Sequence, residues 1–289
     1  MLLEQTPILV LGAGRSGCAL TAEIANASLP LLGLWNRSER AKPSSLARVR
    51  MLSGTRAPPT EWQTEARLVL ITVSDDAIAA VASSLCLEPG TTVMHCSGAL
   101  GSEVLSDLSA EITRGSYHPL QSFSVTTGPS SITPPPYAVA IEGDPEALAL
   151  GRALAVLTGH TSLQLSPQQK AGYHAAAVLA SNCLVALQSA ATRVMGTATG
   201  NPSQAWELLW PLVLGTLAGL ETGSPEQAIT GPVARGDLRS INRNLNALAG
   251  DPLAGAIYRV LGSEAAAVAR QAGLSEEQVE RVLEALSRD

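Results

Sequence analysis

The chain opens on a run that admits few folds: Ile8-Leu9-Val10-Leu11, then Gly12-Ala13-Gly14-Arg15-Ser16-Gly17, then Cys18-Ala19-Leu20-Thr21-Ala22-Glu23. Four consecutive apolar residues suit a strand covered on both faces. At this spacing Gly12 permits a tight turn, Gly14 lets backbone approach a phosphate, and Gly17 lets the following helix pack close to the strand. The first turn of that helix then offers unpaired N–H groups to an anion. A GxGxxG string alone is a weak signal. Here a strand precedes it and a helix follows it, which is the context of a dinucleotide fingerprint. Gly12, Gly14, Arg15, Ser16 and Gly17 are therefore expected to hold the ligand, with Val73, Ser74 and Ser97 at the ends of later strands.

The kind of dinucleotide is read one strand later, at Leu34-Trp35-Asn36-Arg37-Ser38. An acid here would accept hydrogen bonds from the ribose hydroxyls of NAD. None occurs until Glu39; Asn36, Arg37 and Ser38 donate instead. A guanidinium pairs with a phosphate in fork geometry and stacks on adenine. Arg40 and Lys42 add positive charge nearby. The pattern predicts NADP(H).

Strand and helix patterns alternate up to Thr161–Leu165: strands at 66–73, 91–95, 116–118 and 137–142, and helices at 77–85 and 145–157. Ser74 or Asp75 is expected to cap the helix at 77. The stretch Arg37 to Thr64 lacks periodicity, and the Ser/Pro-rich stretch Gly128 to Pro136 is expected to lack regular structure. Beyond Ser166-Pro167 only helix patterns appear, over 168–194, 204–221, 225–229, 237–248, 252–271 and 275–287. This predicts an α/β domain of Rossmann type, with a mostly parallel sheet, over 1–166 and an all-helical domain over 167–289.

Composition narrows the partners. The 289 residues carry 15% charged side chains and a formal net charge of −6 without a basic cluster, which argues against nucleic acid. No leader precedes the first strand and no uninterrupted apolar run reaches span length, so a cytoplasmic protein without a membrane partner is expected. Cys18, Cys86, Cys96 and Cys183 form no CxxC pair and are expected to pack as small buried thiols. No His/Asp/Glu set has metal-ligand spacing.

Three clusters could bind or react with substrate. Lysine occurs only at Lys42 and Lys170. On a helix, Lys170, His174, Ala177 and Ser181 share one stripe. Burial can bring a lysine into a useful pKa range, and a Lys–His pair suits hydride addition to C=O or C=N followed by protonation. The ends of two strands supply His95-Cys96-Ser97-Gly98 and His118-Pro119-Leu120-Gln121-Ser122, where ligands bind in open α/β sheets. Ser97 and Gly98 could hold the nicotinamide ribose or a substrate carboxylate; His118 and Gln121 could bind or protonate substrate. In Thr230-Gly231-Pro232-Val233-Ala234-Arg235-Gly236-Asp237, Asp237 could cap a helix and Arg235 could hold a carboxylate or form a loop ion pair. His160 reads as structural.

These motifs, together with Ser74-Asp75-Asp76 and Tyr173-His174-Ala175-Ala176, resemble a bacterial group of NADP oxidoreductases whose C-terminal half is a domain of unknown function. The resemblance extends more distantly to pyrroline-5-carboxylate reductase, ketopantoate reductase and the 6-phosphogluconate dehydrogenase superfamily. It implies a Rossmann domain, an all-helical dimerising domain and reduction of a small carbonyl or imine. It also implies a catalytic lysine at the place of Lys170, although His174 stands where an Asn would follow one turn later. The alternative is a non-catalytic NADP(H)-binding regulatory or scaffold protein. The helix pattern over 204–221, apolar all round, must be buried, which predicts a homodimer.

Overall fold

The computed structural model describes residues 2–123 and 135–288. An α/β unit is built from β1 (Ile8–Leu11), α1 (Arg15–Asn26), β2 (Leu31–Asn36), β3 (Met51–Ser53), α2 (Thr60–Glu65), β4 (Leu68–Ile71), α3 (Ile78–Ser83), β5 (Thr92–His95), β6 (Thr113–Pro119), β7 (Ala138–Gly143), α4 (Pro145–Leu157) and β8 (Thr161–Gln164). The eight strands form one sheet in the order β3-β2-β1-β4-β5-β6-β7-β8. All neighbours run parallel except the pair β6 and β7. This is the expected fold class.

The central strands are apolar because both their faces are covered. Ile8, Val10, Leu68, Leu70 and Met94 pack with Leu20 and Ile24 of α1 and Leu154 of α4. Their sequence neighbours Leu9, Leu11, Val69, Ile71 and Val93 point the other way, onto Trp62, Ile78 and Leu105. Register carries the consequence for function. Leu11 pairs with Ile71, Ile71 with His95, and His95 with Ser116. The residues that follow each therefore share the C-terminal edge of the sheet.

Several expectations change. The stretch 37–64, read as lacking periodicity, contains β3 and most of α2, each too short to show a period; α2 buries Trp62 against Gly33, where a side chain would strike its ring. Ser74 makes no side-chain cap and leads into one 3-10 turn, Asp75–Ala77, so α3 begins only at Ile78. Cys86 and Cys183 are exposed rather than buried, although all four thiols are free. Most of the Ser/Pro-rich stretch 128–136 lies outside the described residues.

The remaining elements are α5 (Pro167–Val178), α6 (Leu184–Thr199), α7 (Ala205–Thr222), α8 (Pro225–Ala228), α9 (Gly231–Ala234), α10 (Leu238–Ala247), α11 (Pro252–Gln271) and α12 (Glu276–Ser287). A π-type turn, Leu179–Cys183, stands where the sequence predicts unbroken helix. The chain divides into compact units Met1–Leu179 and Ala180–Asp289. Helix α5, placed by sequence in the helical domain, thus groups with the sheet, because its Lys170 and Tyr173 bond to β6 and to the loop after β5. The helical unit packs Ile241, Ala266, Val279, Val282 and Leu286 together. Asp237 caps α10 as expected, accepting from Ser240 N–H at 3.1 Å.

The helical run Pro167–Thr199 spans 33 residues, with mean hydropathy 1.4 over its most apolar window. By length and composition it could cross a membrane, which the linear sequence had not suggested. Its Lys170, however, is hydrogen-bonded inside the α/β unit. Among the residues of α7 only Ala205 is buried within the chain.

Candidate functional site

The glycine loop is shaped as a phosphate cradle. Gly12 has φ +113°, a conformation that side chains disfavour, and a Cβ on Gly17 would collide with the Gly12 carbonyl oxygen. Gly14 N-caps α1 without any side-chain bond, so the first-turn N–H groups of Arg15, Ser16 and Gly17 stay open to a ligand. A Cβ on Gly14 would meet only the Thr72 carbonyl at 3.9 Å, leaving room for close approach. Thr72 braces the turn by donating to the Gly12 carbonyl at 2.7 Å. These features fit a dinucleotide pyrophosphate.

At the end of β2 the three predicted donors separate. Asn36 Oδ1 accepts from Ala13 N–H at 2.9 Å and its Nδ2 donates to the Ser38 carbonyl at 2.6 Å. Asn36 therefore ties the glycine loop to the following turn, a role its polar type did not disclose. Lys42 is likewise committed, donating to the Ala47 carbonyl at 3.0 Å. Arg37 and Arg40 are exposed. A groove of about 1220 Å³ runs beside α1, with Arg15, Arg40, Gln121, Tyr137 and His160 in its wall. There Tyr137 donates to Glu23 at 2.7 Å and stacks on His160 at 3.6 Å, which gives His160 a structural role.

Across the same sheet edge a second centre forms on the loop after β5. Ser97 Oγ donates to Asp75 at 2.9 Å and accepts from the N–H groups of Ala99 and Leu100. His95 takes Ser97 N–H on Nδ1 and lies 3.0 Å from the Gly101 carbonyl through Nε2. Burial, with Lys170 next, lowers the His95 pKa to about 4, so its ring is a neutral strut. Lys170 is 1% exposed; its Nζ donates to Ser116 Oγ at 2.7 Å and to the Ser97 carbonyl at 3.2 Å. Ser116 and Ser102 in turn donate to the buried carboxylate of Glu142. Burial lowers the Lys170 pKa, and Glu142 is the largest opposing influence.

This loop presents Gly98 to two histidines. A Cβ on Gly98 would stand 2.6 Å from His174 Nδ1 and 2.8 Å from His118 Nε2. Both ring nitrogens thus face the Gly98 Cα. His174 Nδ1 is buried and has no hydrogen-bond partner among the described residues. The two rings meet edge to face at 6.2 Å. His118 Nδ1 lies 2.8 Å from the Tyr173 hydroxyl.

Of the predicted substrate and catalytic residues, Ser97, Gly98, His118, Lys170 and His174 come together. Lys170 and His174 share a face of α5, but Lys170 bonds to Ser97 and Ser116 while His174 only packs against Gly98. Gln121 lies in the groove wall, its Oε1 accepting from Ser122 N–H at 2.8 Å. Ser181 falls in the π-type turn, which ends the stripe by changing the helical phase, and belongs to the helical unit. Arg235, exposed at the end of α9 in that unit, makes no ion pair among the described residues. Ser116, Glu142, Asp75 and Tyr173 were not singled out as site residues. A buried lysine needs a counter-charge, and that need was the available signal for Glu142. Among the described residues no three His, Cys, Asp or Glu side chains are placed to hold a metal ion.

Residues 5–119 match a Rossmann-like domain, and residues 137–265 match a domain of unknown function, DUF2520. No protein of curated function matches the chain in sequence. Among solved structures it is similar to a Bacteroides fragilis protein named a "putative NADP oxidoreductase", at 19% identity and TM-score 0.67, covering 93% of this chain and 98% of that one. It is also similar to a Thermotoga maritima protein at 23% identity and TM-score 0.64, covering 91% and 98%. A third is a Plasmodium falciparum pyrroline carboxylate reductase with NADP bound, at 12% identity and TM-score 0.57, covering 99% and 100%. These likenesses establish the fold.

Proposed function

We propose that this chain is an NADPH-dependent oxidoreductase that reduces a small carbonyl or imine substrate. The observation that carries the reading is the convergence of His118 Nε2 and His174 Nδ1 on Gly98. They meet on the same sheet edge as an open glycine loop. A cradle for a pyrophosphate and two imidazoles at one edge suit transfer of a hydride and a proton to one substrate. The similar structures that bind NADP or bear reductase names support it.

The N–H groups of Arg15, Ser16 and Gly17 would hold the pyrophosphate, and exposed Arg37 the 2′-phosphate. Val73 and Ser74 border the same edge after β4, and Ser97 after β5. A bound nicotinamide supplies the hydride. The chain's own residues supply position and the proton. Lys170 fixes the Ser97 carbonyl and Ser116 from below, so that Gly98 is held against the two rings. A ring nitrogen over Gly98 lies where it can bond the substrate oxygen or nitrogen.

The test is NADPH oxidation with a panel of keto acids, aldehydes and cyclic imines. Turnover of any member supports an enzyme. Tight NADPH binding with no turnover across the panel supports a regulatory or scaffold role instead.

A further inference from the structure

Tyr173 is the polar group at this centre that the reductase reading leaves without a task. Its hydroxyl sits 2.8 Å from His118 Nδ1, and the two rings pack edge to face at 5.5 Å. The bond on one imidazole nitrogen decides which nitrogen of a neutral ring carries the proton. A phenol donates readily and a bare imidazole nitrogen accepts, so Tyr173 O–H on Nδ1 leaves the ring proton on Nε2. That nitrogen faces Gly98.

We propose that Tyr173 and His118 form a two-step proton relay ending over Gly98, with Tyr173 as a further residue of the reduction chemistry. The proposal rests on the reductase reading and assigns its proton source. Substrate carbon takes the hydride, with its electron pair, from the reduced nicotinamide. Substrate oxygen or nitrogen takes the Nε2 proton, and that N–H bond breaks. Nδ1 takes the phenolic proton at the same time, leaving a tyrosinate. After product leaves, Nε2 takes a proton from water and Nδ1 returns its own to the tyrosinate, so the histidine and the phenol end as they began.

The environment explains why a relay is needed. Burial first, then Lys170 and then His174, lower the His118 pKa to about 4, with Asp75 opposing and His95 adding slightly. A neutral imidazole that gave up its only proton unaided would become an imidazolate. Replacing the proton at Nδ1 as Nε2 loses its own removes that cost, and Tyr173 is the group placed to do so. Burial also raises the Tyr173 pKa to about 12, which keeps the phenol protonated and ready across working pH.

The first test needs no substrate. Nitrogen NMR of histidine-labelled protein should show His118 protonated at Nε2, with a hydrogen-bonded bare Nδ1, and Tyr173→Phe should shift that Nδ1 resonance. A proton resting on Nδ1 in the unsubstituted protein overturns the relay while leaving the reductase reading intact, and it does so even if the variant fails to fold. The second test uses any substrate found in the panel. Tyr173→Phe should lower kcat by roughly 10²-fold or more, with KM and NADPH affinity nearly unchanged. Unaltered kcat in the folded variant overturns the proposal. Failure of every substrate with the unsubstituted protein removes the reductase reading, and the relay's task with it.

Discussion

The Lys170 ammonium nitrogen lies 2.7 Å from the hydroxyl of Ser116, inside the protein and away from solvent. That hydroxyl reaches on to Glu142 Oε2 at 3.3 Å, and Glu142 also accepts from Ser102 N–H at 2.8 Å and Ser102 Oγ at 2.7 Å. A buried cation and a buried anion are thus joined through one serine. They hold the Gly98 loop at both ends, at the Ser97 carbonyl and at Ser102.

Lys170→Met should therefore act on stability as well as on rate. Removing one partner of a buried pair leaves the other uncompensated, a loss of about 3–5 kcal/mol. A clear fall in the urea midpoint is expected. Turnover should also fall by about 10²-fold or more as the loop loses its anchor, while NADPH affinity in the folded fraction stays near normal. Lys170→Arg should not restore either property, because a planar guanidinium does not present its donors as an ammonium does. An unchanged midpoint would show that the network does not hold the loop.

Gly98→Ala probes the other side of the loop. The added methyl would lie 2.6 Å from His174 Nδ1 and 2.8 Å from His118 Nε2, so at least one ring must move. Displacement on that scale costs on the order of 10²-fold in a positioned reaction. Cofactor affinity, measured by calorimetry, should hardly change, since the glycine loop is on different strands. Normal turnover in this variant would relocate the reacting centre.

Stability should fall on the acid side. His95 and His118 both have pKa values near 4 in the folded chain, lowered chiefly by burial, against about 6.5 when unfolded. The unfolded state then binds more protons between these values. Folding free energy is fully present above about pH 6.5 and declines as pH drops toward 4. At about 1.4 kcal/mol per pKa unit, each ring contributes up to roughly 3 kcal/mol. His118→Asn should flatten the decline between pH 6.5 and 4 in a thermal-unfolding series; the same slope with and without His118 would refute the assignment.

Cofactor choice separates two neighbours. Arg37→Ala should weaken NADPH by about 1.5–3 kcal/mol, the value of a hydrogen bond to a charged group, and leave NADH nearly unaffected. Asn36→Ala should weaken both cofactors, because it frees Ala13 N–H and loosens the loop common to them. Equal losses for both cofactors in Arg37→Ala would show that Arg37 does not read the 2′-phosphate.

The glycine loop, the mostly parallel sheet and the polar residues Ser97, His118 and Lys170 were legible because each shows in local pattern: a glycine spacing, an apolar run, a polar residue at a strand end or near a helix start. Two kinds of information were not local. Elements of three and six residues, β3 and α2, are too short for a period. Partnership across the fold is also invisible: Glu142 reads as the polar end of a strand until Lys170 arrives from 28 positions later through Ser116. Asn36 shows the same limit, for its residue type suggested a phosphate donor and its geometry gave it to Ala13.

The helical unit supplies the last prediction. Helix α7 is apolar nearly all round, yet Leu208 and Leu212, one turn apart on one face, are 55% and 68% exposed. Val185 on α6 is 69% exposed. Scattered single apolar residues are ordinary on a surface, but a stripe at i and i+4 on so apolar a helix is not. A second copy of the chain is the proposed cover, since a two-fold contact lets one stripe serve as both partners. Light scattering should give a dimer mass across micromolar concentrations, and L208E/L212E should give a folded monomer. A monomer mass independent of concentration in the unsubstituted protein would leave the stripe without a second copy to bury it.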